Sequence, residues 1–449
     1  MTNRVVKELS STTTRTRRLF QLSLLAVAAW AATYARVALG PLQESIKGSL
    51  GLSDNQIALL QGMGVALPVA LGAVPLGLMA DRVSRARMVL FLMTLALISC
   101  VLSALAPGFL SLLAVRVLAG LSAAGLIVAA YSMAGDLFAP MGRGRATMVM
   151  AIGELGGAPA AFAVGGALLV TVAPMSSMGW KVEEWRLSLL CMGGLLVPVL
   201  LLMLLLREPG RGDRMATKPK LRAVWPELWL YRAVAMPLQL GRATLFIADG
   251  AVYVWGAPLF VRKYHLPADR VGAIMGIVLL AGGLLGPALG GPLVDFCQRH
   301  GGPRRVVTVM AGVALLSAFA ATFALMPDAN LAGLTLAIFL ILGFTIAAAS
   351  LALSIIVIPS ELRGLNLGIG VVVGSLFFAG LAPLAVSGLA GMLGGEAMIA
   401  KALSIVCVTM SLLTAAIFII ARLYFPELRH EVVSDRRELK SNPCMNRPI

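Results

Sequence analysis

The stretch Gly77-Leu-Met-Ala-Asp81-Arg82-Val-Ser-Arg85-Ala-Arg87 directly follows a long apolar run, and a similar stretch, Gly291-Pro-Leu-Val-Asp295-Phe-Cys-Gln-Arg299, occurs in the second half of the chain. Gly, Asp and Arg recur at the same four-residue steps in both stretches. A repeat on this scale within apolar sequence indicates two similar helical halves that together form one membrane protein. Because secondary transporters are commonly built from duplicated halves, transport is the first function that this pattern indicates.

The composition is that of a membrane protein. Of the 449 residues, 59% are hydrophobic and 13% are charged, and the mean hydropathy is +0.90, whereas soluble domains average about 25% charged residues. Continuous apolar runs of about 20 residues match the length that crosses a hydrocarbon core of roughly 30 Å, and they exclude an alternating strand barrel. We therefore predict an all-α membrane protein with twelve transmembrane helices in two pseudo-symmetric six-helix bundles.

The apolar runs also predict the division of the chain. The first six helices are expected near 20–42, 55–79, 88–107, 110–137, 146–172 and 187–206, and the second six near 233–261, 271–294, 304–326, 331–358, 367–392 and 398–423. These helices define a cytoplasmic N-terminal tail (1–19), an N-terminal bundle (20–206), a cytoplasmic linker rich in Pro and Gly (207–232), a C-terminal bundle (233–423) and a cytoplasmic C-terminal tail (424–449).

The basic charge follows the predicted topology. The formal net charge is +16, and most of the 37 Lys and Arg residues lie in segments that the twelve helices would place on one side of the bilayer. By the positive-inside rule this distribution predicts a multi-pass protein of the plasma (inner) membrane with both termini in the cytoplasm. The lipid bilayer therefore accounts for the charge, so we expect no nucleic-acid partner, and we expect a monomer.

Several classes of function have no supporting residues. The five cysteines are widely separated and have no CxxC spacing, and the three histidines fall in loops or the tail, so no metal site or cofactor is expected. The sequence has no GxxxxGK[ST] motif for nucleotide binding. Since no nucleophile or acid–base cluster lies within the helices, an enzyme is not expected.

The repeated motif resembles the signature of the major facilitator superfamily, with Gly77, Asp81, Arg82 and Arg85 in the loop after helix 2. Arg116-xxx-Gly120 is similar to the helix 4 motif of the same superfamily. Further segments resemble bacterial spinster-like transporters: Glu44-Ser-Ile-Lys47, Leu50-Gly-Leu-Ser-Asp54, Tyr131-Ser132, Asp136-Leu-Phe138, Arg143-Gly-Arg145, Trp185-Arg186 and Arg207-Glu-Pro209. The resemblance implies a fold in which helices 1, 4, 7 and 10 line a central cavity.

Charged residues within the helices are candidates for function because their burial in a membrane is costly. The resemblance implies that Arg36, Arg116, Arg242 and Asp249 face the cavity, so we predict that they bind substrate. Glu154 in helix 5 and Asp249 are the candidates for proton coupling. The alternative for each arginine, and for the pair in helix 7, is a structural ion pair between helices.

The sequence departs from its apparent relatives at two positions. Spinster-like proteins usually carry an acid before the helix 1 arginine and another in helix 4, where this chain has Ala35 and Ala123. Either coupling has moved to Glu154 or Asp249, or a substrate anion supplies the counter-charge for Arg36 and Arg116. The Gly-rich stretch 153–159 differs from the helix 5 motif associated with antiport, so antiport and symport both stay open.

The repeated motif predicts a gate. A carboxylate at the end of a helix can contact basic residues and neighbouring helix ends in one conformation and lose them in another. The gating candidates are Gly77, Asp81, Arg82 and Arg85 in the first copy and Gly291, Asp295 and Arg299 in the second. The alternative is that the basic residues are topology signals only.

These features together predict a secondary active transporter that works by alternating access and is coupled to protons. The substrate is expected to be a small organic anion, as the unpaired arginines indicate, or an amphipathic lipid-like molecule, because spinster-like relatives move lysophospholipids and sphingoid lipids. The alternative is a sensor, derived from a transporter, that binds its ligand without moving it across the membrane.

Overall fold

The computed structural model describes residues 2–138, 143–177, 182–209 and 229–425. Every regular element within these ranges is helical. Most of the predicted linker (210–228), the C-terminal tail beyond Phe425 and the segment 139–142 lie outside the described residues.

The first half contains six spans, numbered here in chain order. Spans 1 to 6 are Thr2–Val37, Asp54–Gln61 continued by Met63–Arg82, Arg85–Leu105, Phe109–Leu137, Arg143–Ser177, and Glu184–Gly194 continued by Leu196–Met203. A short helix, Gln43–Leu50, connects spans 1 and 2. Span 1 begins as helix within the predicted tail 1–19, although its membrane-spanning part begins at Thr16.

The second half repeats this arrangement. Span 7 is Arg232–Tyr264, spans 8 and 9 share Ala268–Ala320, and span 10 is Ala329–Val357. Span 11 is Ser360–Val373 continued by Gly374–Leu381 and Ala382–Leu393, and span 12 is Ile399–Tyr424. Short 3-10 helices, Ala321–Leu325 and Glu396–Met398, follow span 9 and precede span 12.

Spans 8 and 9 are two helices separated by a glycine pair. Eleven helices among the described residues are long and apolar enough to cross a membrane, and one of them is the 58-residue stretch Ala268–Leu325. The backbone leaves helical geometry at Gly301 and at Gly302, where φ is 67°, a value that glycine adopts without steric cost. Pro303 then begins the next helix, where a missing N–H is harmless. The prediction of twelve spans in two halves is confirmed.

The helix starts follow from local capping chemistry. Ser53 caps span 2, since its side chain accepts a hydrogen bond from the Gln56 N–H, and the Gln56 side-chain oxygen accepts one from the Ser53 N–H. Asp328 caps span 10 by accepting from the N–H groups of Asn330 and Leu331.

Two interruptions allow the halves to approach each other. Gly62 separates the two parts of span 2, and a Cβ atom there would lie 2.9 Å from the carbonyl oxygen of Ala379 in span 11. The facing part of span 11, Gly374–Leu381, is a π-helix. Pro383, which lacks an N–H, follows this stretch and removes one regular helical hydrogen bond. Many large apolar side chains are exposed along the spans, as expected for contact with lipid; Leu71 and Phe319 are examples.

Two faces of the bundle can be named by their charges. The Arg262 face contains the ends of spans 1 and 7 and the starts of spans 2, 6 and 8. The Asp81 face contains the ends of spans 2, 4, 6 and 8 and the start of span 3.

Candidate substrate cavity and charged contacts

A cavity of about 280 Å³ lies where spans 1, 2, 7 and 11 meet. Two arginines, Arg36 and Arg242, line it, whereas no carboxylate is among the described residues around it. Its other lining residues are small, apolar or aromatic: Val65, Ala66, Val69, Phe246, Gly370, Gly374, Ser375, Phe378 and Ala379. The cavity therefore combines apolar walls with two positive charges.

Arg242 has unused hydrogen-bond donors in this cavity. Its Nε and Nη1 atoms are buried and have no hydrogen-bond partner. The guanidinium lies 5.4 Å from the ring centroid of Phe246, within the range of a cation–π contact. Gly370 leaves room beside it, because a Cβ atom there would lie 2.8 Å from Nη1. The donors are consistent with a ligand that accepts hydrogen bonds.

Arg36 lies in the last turn of span 1, which ends at Val37, closer to the helix end than the sequence predicted. Its Nε atom is buried without a hydrogen-bond partner. The side chain lines the cavity and also a smaller neighbouring pocket of about 40 Å³. Among the described residues no acid forms an ion pair with Arg36, so its charge remains available.

Arg116 has a different environment, although it borders the smaller pocket. It is 3% exposed. Its Nη2 donates to the carbonyl oxygen of Arg36 at 2.6 Å, and its Nε donates to the carbonyl oxygen of Leu60 at 3.3 Å. Both carbonyls belong to the last turn of a helix, where backbone oxygens lack helical partners and carry partial negative charge. Helix ends therefore offset part of the charge of Arg116, and no described acid forms an ion pair with it.

Glu154 forms no ion pair with Arg36 or Arg116. It accepts a hydrogen bond from the hydroxyl of Tyr131 at 2.9 Å, which joins spans 4 and 5.

Asp249 lies in span 7 but does not line either arginine-containing cavity. It is 2% exposed, and its Oδ1 atom has no hydrogen-bond partner. A Cβ atom at Gly343 in span 10 would lie 2.6 Å from Oδ1, so glycine makes room for the carboxyl group. Neither Arg242 nor Asp249 forms an ion pair with a described residue, so the alternative of an ion pair between helices is not seen for these two residues in this conformation.

The first copy of the repeated motif is built around Arg85, which is 3% exposed. Its guanidinium forms ion pairs with Asp136 and Glu208 and donates to the Ser132 hydroxyl at 3.1 Å. Burial would raise the pKa of Glu208, but hydrogen bonds from the Ala86 N–H and from Arg85 outweigh that effect and lower the pKa. These contacts connect spans 3, 4 and 6 within the first half.

The remaining gating candidates lie on the surface. Asp81 and Arg82 are exposed at the end of span 2, and Gly77 packs near Val128. In the second copy Asp295 and Arg299 are exposed on span 8, and neither forms an ion pair with a described residue. A Cβ atom at Gly291 would meet nothing within 4 Å.

The described ion pairs that join the two halves lie at the opposite face. Arg262, at the end of span 7, donates two hydrogen bonds to Glu44 and two to Asp54, all between 2.8 and 2.9 Å. Lys47 pairs with Asp54 at 2.8 Å and also with Glu396. We call these five residues the outer ion cluster. Sequence reasoning missed it, although Glu44, Lys47 and Asp54 stand together in one short connection.

Glycines also bring the halves together on this side of the molecule. A Cβ atom at Gly166 in span 5 would lie 2.4 Å from the Ala268 carbonyl oxygen and 2.9 Å from the Cα of Gly272 in span 8. Spans 2 and 11 meet at Gly62 and Ala379 as described above. Together with the outer ion cluster, these contacts close the cavity toward the Arg262 face.

Comparisons with known proteins agree with this architecture. The family model described as Major Facilitator Superfamily matches residues 25–379. No curated protein matches the chain in sequence. Among solved structures, a bacterial homologue of the human lysosomal transporter Spinster, in an inward-facing and unoccupied conformation, has a TM-score of 0.74 and 23% identity, and the match covers 94% of this chain and 98% of that one.

Two further structures are similar. The same bacterial Spinster homologue in an inward-facing and occupied conformation has a TM-score of 0.71 at 22% identity, covering 93% of this chain and 98% of that one. A D-xylose–proton symporter has a TM-score of 0.72 at 16% identity, covering 92% of this chain and 99% of that one. At these identities the likeness concerns the fold.

Proposed function

The chain belongs to the Major Facilitator Superfamily and is a multi-pass membrane transporter rather than an enzyme, and we propose that it moves a small organic anion by alternating access. The observation that carries this proposal is the pair Arg36 and Arg242. Both side chains line one cavity, both keep buried N–H donors without partners, and no described carboxylate lines that cavity.

The energetics favour an anionic substrate. Arg36 and Arg242 are half-buried, with buried N–H groups that have no partner, and taking a guanidinium out of water without a counter-charge is costly. A substrate carboxylate or phosphate would supply that charge and accept the unused N–H donors in charge-assisted hydrogen bonds. Arg116 is a weaker candidate for this role, because two of its N–H donors already bind the carbonyls of Arg36 and Leu60.

The walls of the cavity restrict the rest of the substrate. Apart from the arginines and Ser375, the lining is apolar, aromatic or glycine, with Phe246 and Phe378 as the largest side chains. A ligand pocket of this kind favours a molecule with an apolar body and few polar groups. We therefore propose an amphipathic organic anion, whose charged group meets the arginines and whose body packs against the phenylalanines.

We propose that the outer ion cluster and the Asp81 face alternate as gates. In the described conformation the cluster joins the halves at the Arg262 face. Rocking of one half against the other would break it and change the contacts of the repeated motif, which contains Asp81 and Asp295, at the other face. The basic segments support placing the Asp81 face and both termini in the cytoplasm, so this conformation would open inward.

Asp249 is the favoured candidate for proton coupling. A buried carboxylate oxygen without a hydrogen-bond partner is costly, and a bound proton would remove that cost. Asp249 also lies two turns from Arg242 on the same span, so substrate binding and protonation would act on one helix. Glu154 is the second candidate, because its bond with Tyr131 connects two spans of the other half.

Counterflow in proteoliposomes tests the transport of an anion. Vesicles preloaded with one member of a panel of organic acids, lipid-like anions and neutral analogues should exchange labelled acid faster than labelled neutral analogue. A protein that binds an anion without exchanging it would instead be a sensor. Exchange restricted to neutral compounds would contradict the proposal.

A further inference from the structure

A second recess lies away from the cavity, between spans 7 and 11 near the Asp81 face. It has a volume of about 230 Å³ and an almost entirely apolar lining that includes Met236, Leu240 and Ile369. Trp229 and Arg232 stand at its mouth, where span 7 begins. We call this recess the span 7–11 groove.

The groove opens toward the hydrocarbon of the bilayer. Met236 and Leu240 are 47% and 56% exposed in the first turns of a membrane-spanning helix. An apolar recess at this depth has few polar partners for water, and leaving it empty would forfeit dispersion contacts along its walls. A flexible acyl chain from the surrounding lipid would fill the recess with dispersion contacts and needs no polar partners.

The mouth of the groove is suited to a negatively charged head group. Trp229 is 50% exposed immediately before the span, and the Arg232 guanidinium lies 5.7 Å from its ring centroid. Trp and Arg at the end of a span occupy the head-group level. Arg232 Nη1 donates to the Trp229 carbonyl oxygen at 3.2 Å, and no described carboxylate forms an ion pair with Arg232. Its remaining donors can therefore bind phosphate oxygens.

We propose that the span 7–11 groove binds an anionic phospholipid of the bilayer. The phosphate contacts Arg232 beside Trp229, and one acyl chain lies between spans 7 and 11 along Met236 and Leu240. Charge complementarity at the mouth selects an anionic head group over a zwitterionic one. This site is separate from the transported substrate and does not depend on the proposed function.

An acyl chain in the groove would lie beside the contact between spans 7 and 11. At the inner end of the groove, Gln239 Nε2 donates to the backbone and side-chain oxygens of Asn366, both at 3.0 Å. Arg242 follows one turn later and faces the cavity beside Gly370. A bound acyl chain would therefore support the seam between spans 7 and 11 next to the cavity.

Fluorescence quenching tests this proposal with the full chain in mixed micelles. The fluorescence of Trp229 is obtained as the difference between the emission of the parent protein and that of Trp229→Phe. Brominated phosphatidylglycerol should quench that contribution at about fivefold lower mole fraction than brominated phosphatidylcholine with the same chains. Arg232→Gln should abolish the preference, whereas Arg422→Gln, at an exposed arginine near the end of span 12, should retain it.

A second pair of variants tests the acyl chain. Met236→Phe combined with Leu240→Phe fills the groove and should weaken quenching by both lipids, whereas Leu284→Phe on the exposed side of span 8 should not. Equal quenching by both lipids, or a preference that survives Arg232→Gln, would overturn the head-group assignment. Absence of Trp229 quenching by either lipid would mean that protein covers the groove and would overturn the proposal as a whole.

Discussion

Three arginines in the spans, the buried Arg116 and the half-buried Arg36 and Arg242, differ in their hydrogen-bond partners, and these partners separate their roles. Arg116 donates to two backbone carbonyls, whereas Arg36 and Arg242 keep donors without partners. The sequence predicted that all three would be buried in helices and grouped Arg36 with Arg116. It did not predict that span 1 ends at Val37, which brings a free carbonyl to Arg116. Gly40 and Pro41 carried the signal for that helix end.

Arg116→Met should destabilise the protein without creating a new cavity of substantial size. The substitution leaves the carbonyls of Arg36 and Leu60 without partners, and each unsatisfied buried group costs about 1–3 kcal/mol. Thermal unfolding in detergent should therefore show a clearly lower Tm for Arg116→Met, whereas Arg422→Met at an exposed position should stay near the parent. An unchanged Tm would mean that the carbonyls find other partners.

Glu208 should make stability depend on pH. Its pKa is lowered in the folded protein, so its contribution is fully present above the unfolded value of about 4.3 and is lost as pH falls through the lower folded value. The parent should lose Tm as pH is reduced below about 4.3, and Glu208→Gln should be less stable at neutral pH and lose less on acidification. Equal pH profiles for the two proteins would contradict this assignment.

At the scale of elements, apolar run length predicted the spans well because crossing a bilayer requires a fixed length of apolar helix. The interruptions were harder to predict. Gly62 and the π-helix Gly374–Leu381 exist where spans 2 and 11 touch, and such a contact depends on both halves at once. In the sequence of a single span, Gly62 and Gly374 look the same as glycines that simply allow close helix packing.

Gly166→Ala should disfavour closure at the Arg262 face. The added methyl group would lie 2.4 Å from the Ala268 carbonyl oxygen, so spans 5 and 8 would have to separate. Electron spin labels at Gly48→Cys and Lys401→Cys, in a background without other cysteines, should show a longer mean distance for Gly166→Ala. Gly312→Ala, where a Cβ atom meets nothing within 4 Å, is the matched control, and identical distances in both variants would contradict the packing argument.

At the scale of the whole molecule, the described ion pairs across the two halves lie in the outer ion cluster. The repeated motif at the Asp81 face led the sequence analysis to predict gates there, and that prediction remains to be tested in another conformation. The cluster itself could not be predicted from a motif, because Arg262 and Glu396 are far in sequence from the connection that holds Glu44, Lys47 and Asp54. Only folding brings them together.

Arg262→Lys should shift the protein away from the conformation described here. Lysine keeps the charge but cannot bind Glu44 and Asp54 bidentately at the same time. Since a hydrogen bond to a charged group contributes about 1.5–3 kcal/mol, the population closed at the Arg262 face should fall about tenfold or more. The same spin-label pair reports this change, with Lys263→Arg as a control at the neighbouring residue; a closed population equal to the parent would exclude Arg262 as a gate.

The central claim is that Arg36 and Arg242 bind the charged group of a transported anion. The most direct measurement is counterflow in proteoliposomes of an organic acid and its neutral amide of the same shape. We expect faster exchange of the acid than of the amide. Affinity should fall about tenfold to 100-fold for Arg242→Ala and Arg36→Ala, by an intermediate factor for the lysine variants, and not at all for Arg422→Ala. Preferred exchange of the amide, or acid exchange unchanged in both alanine variants, would contradict the account.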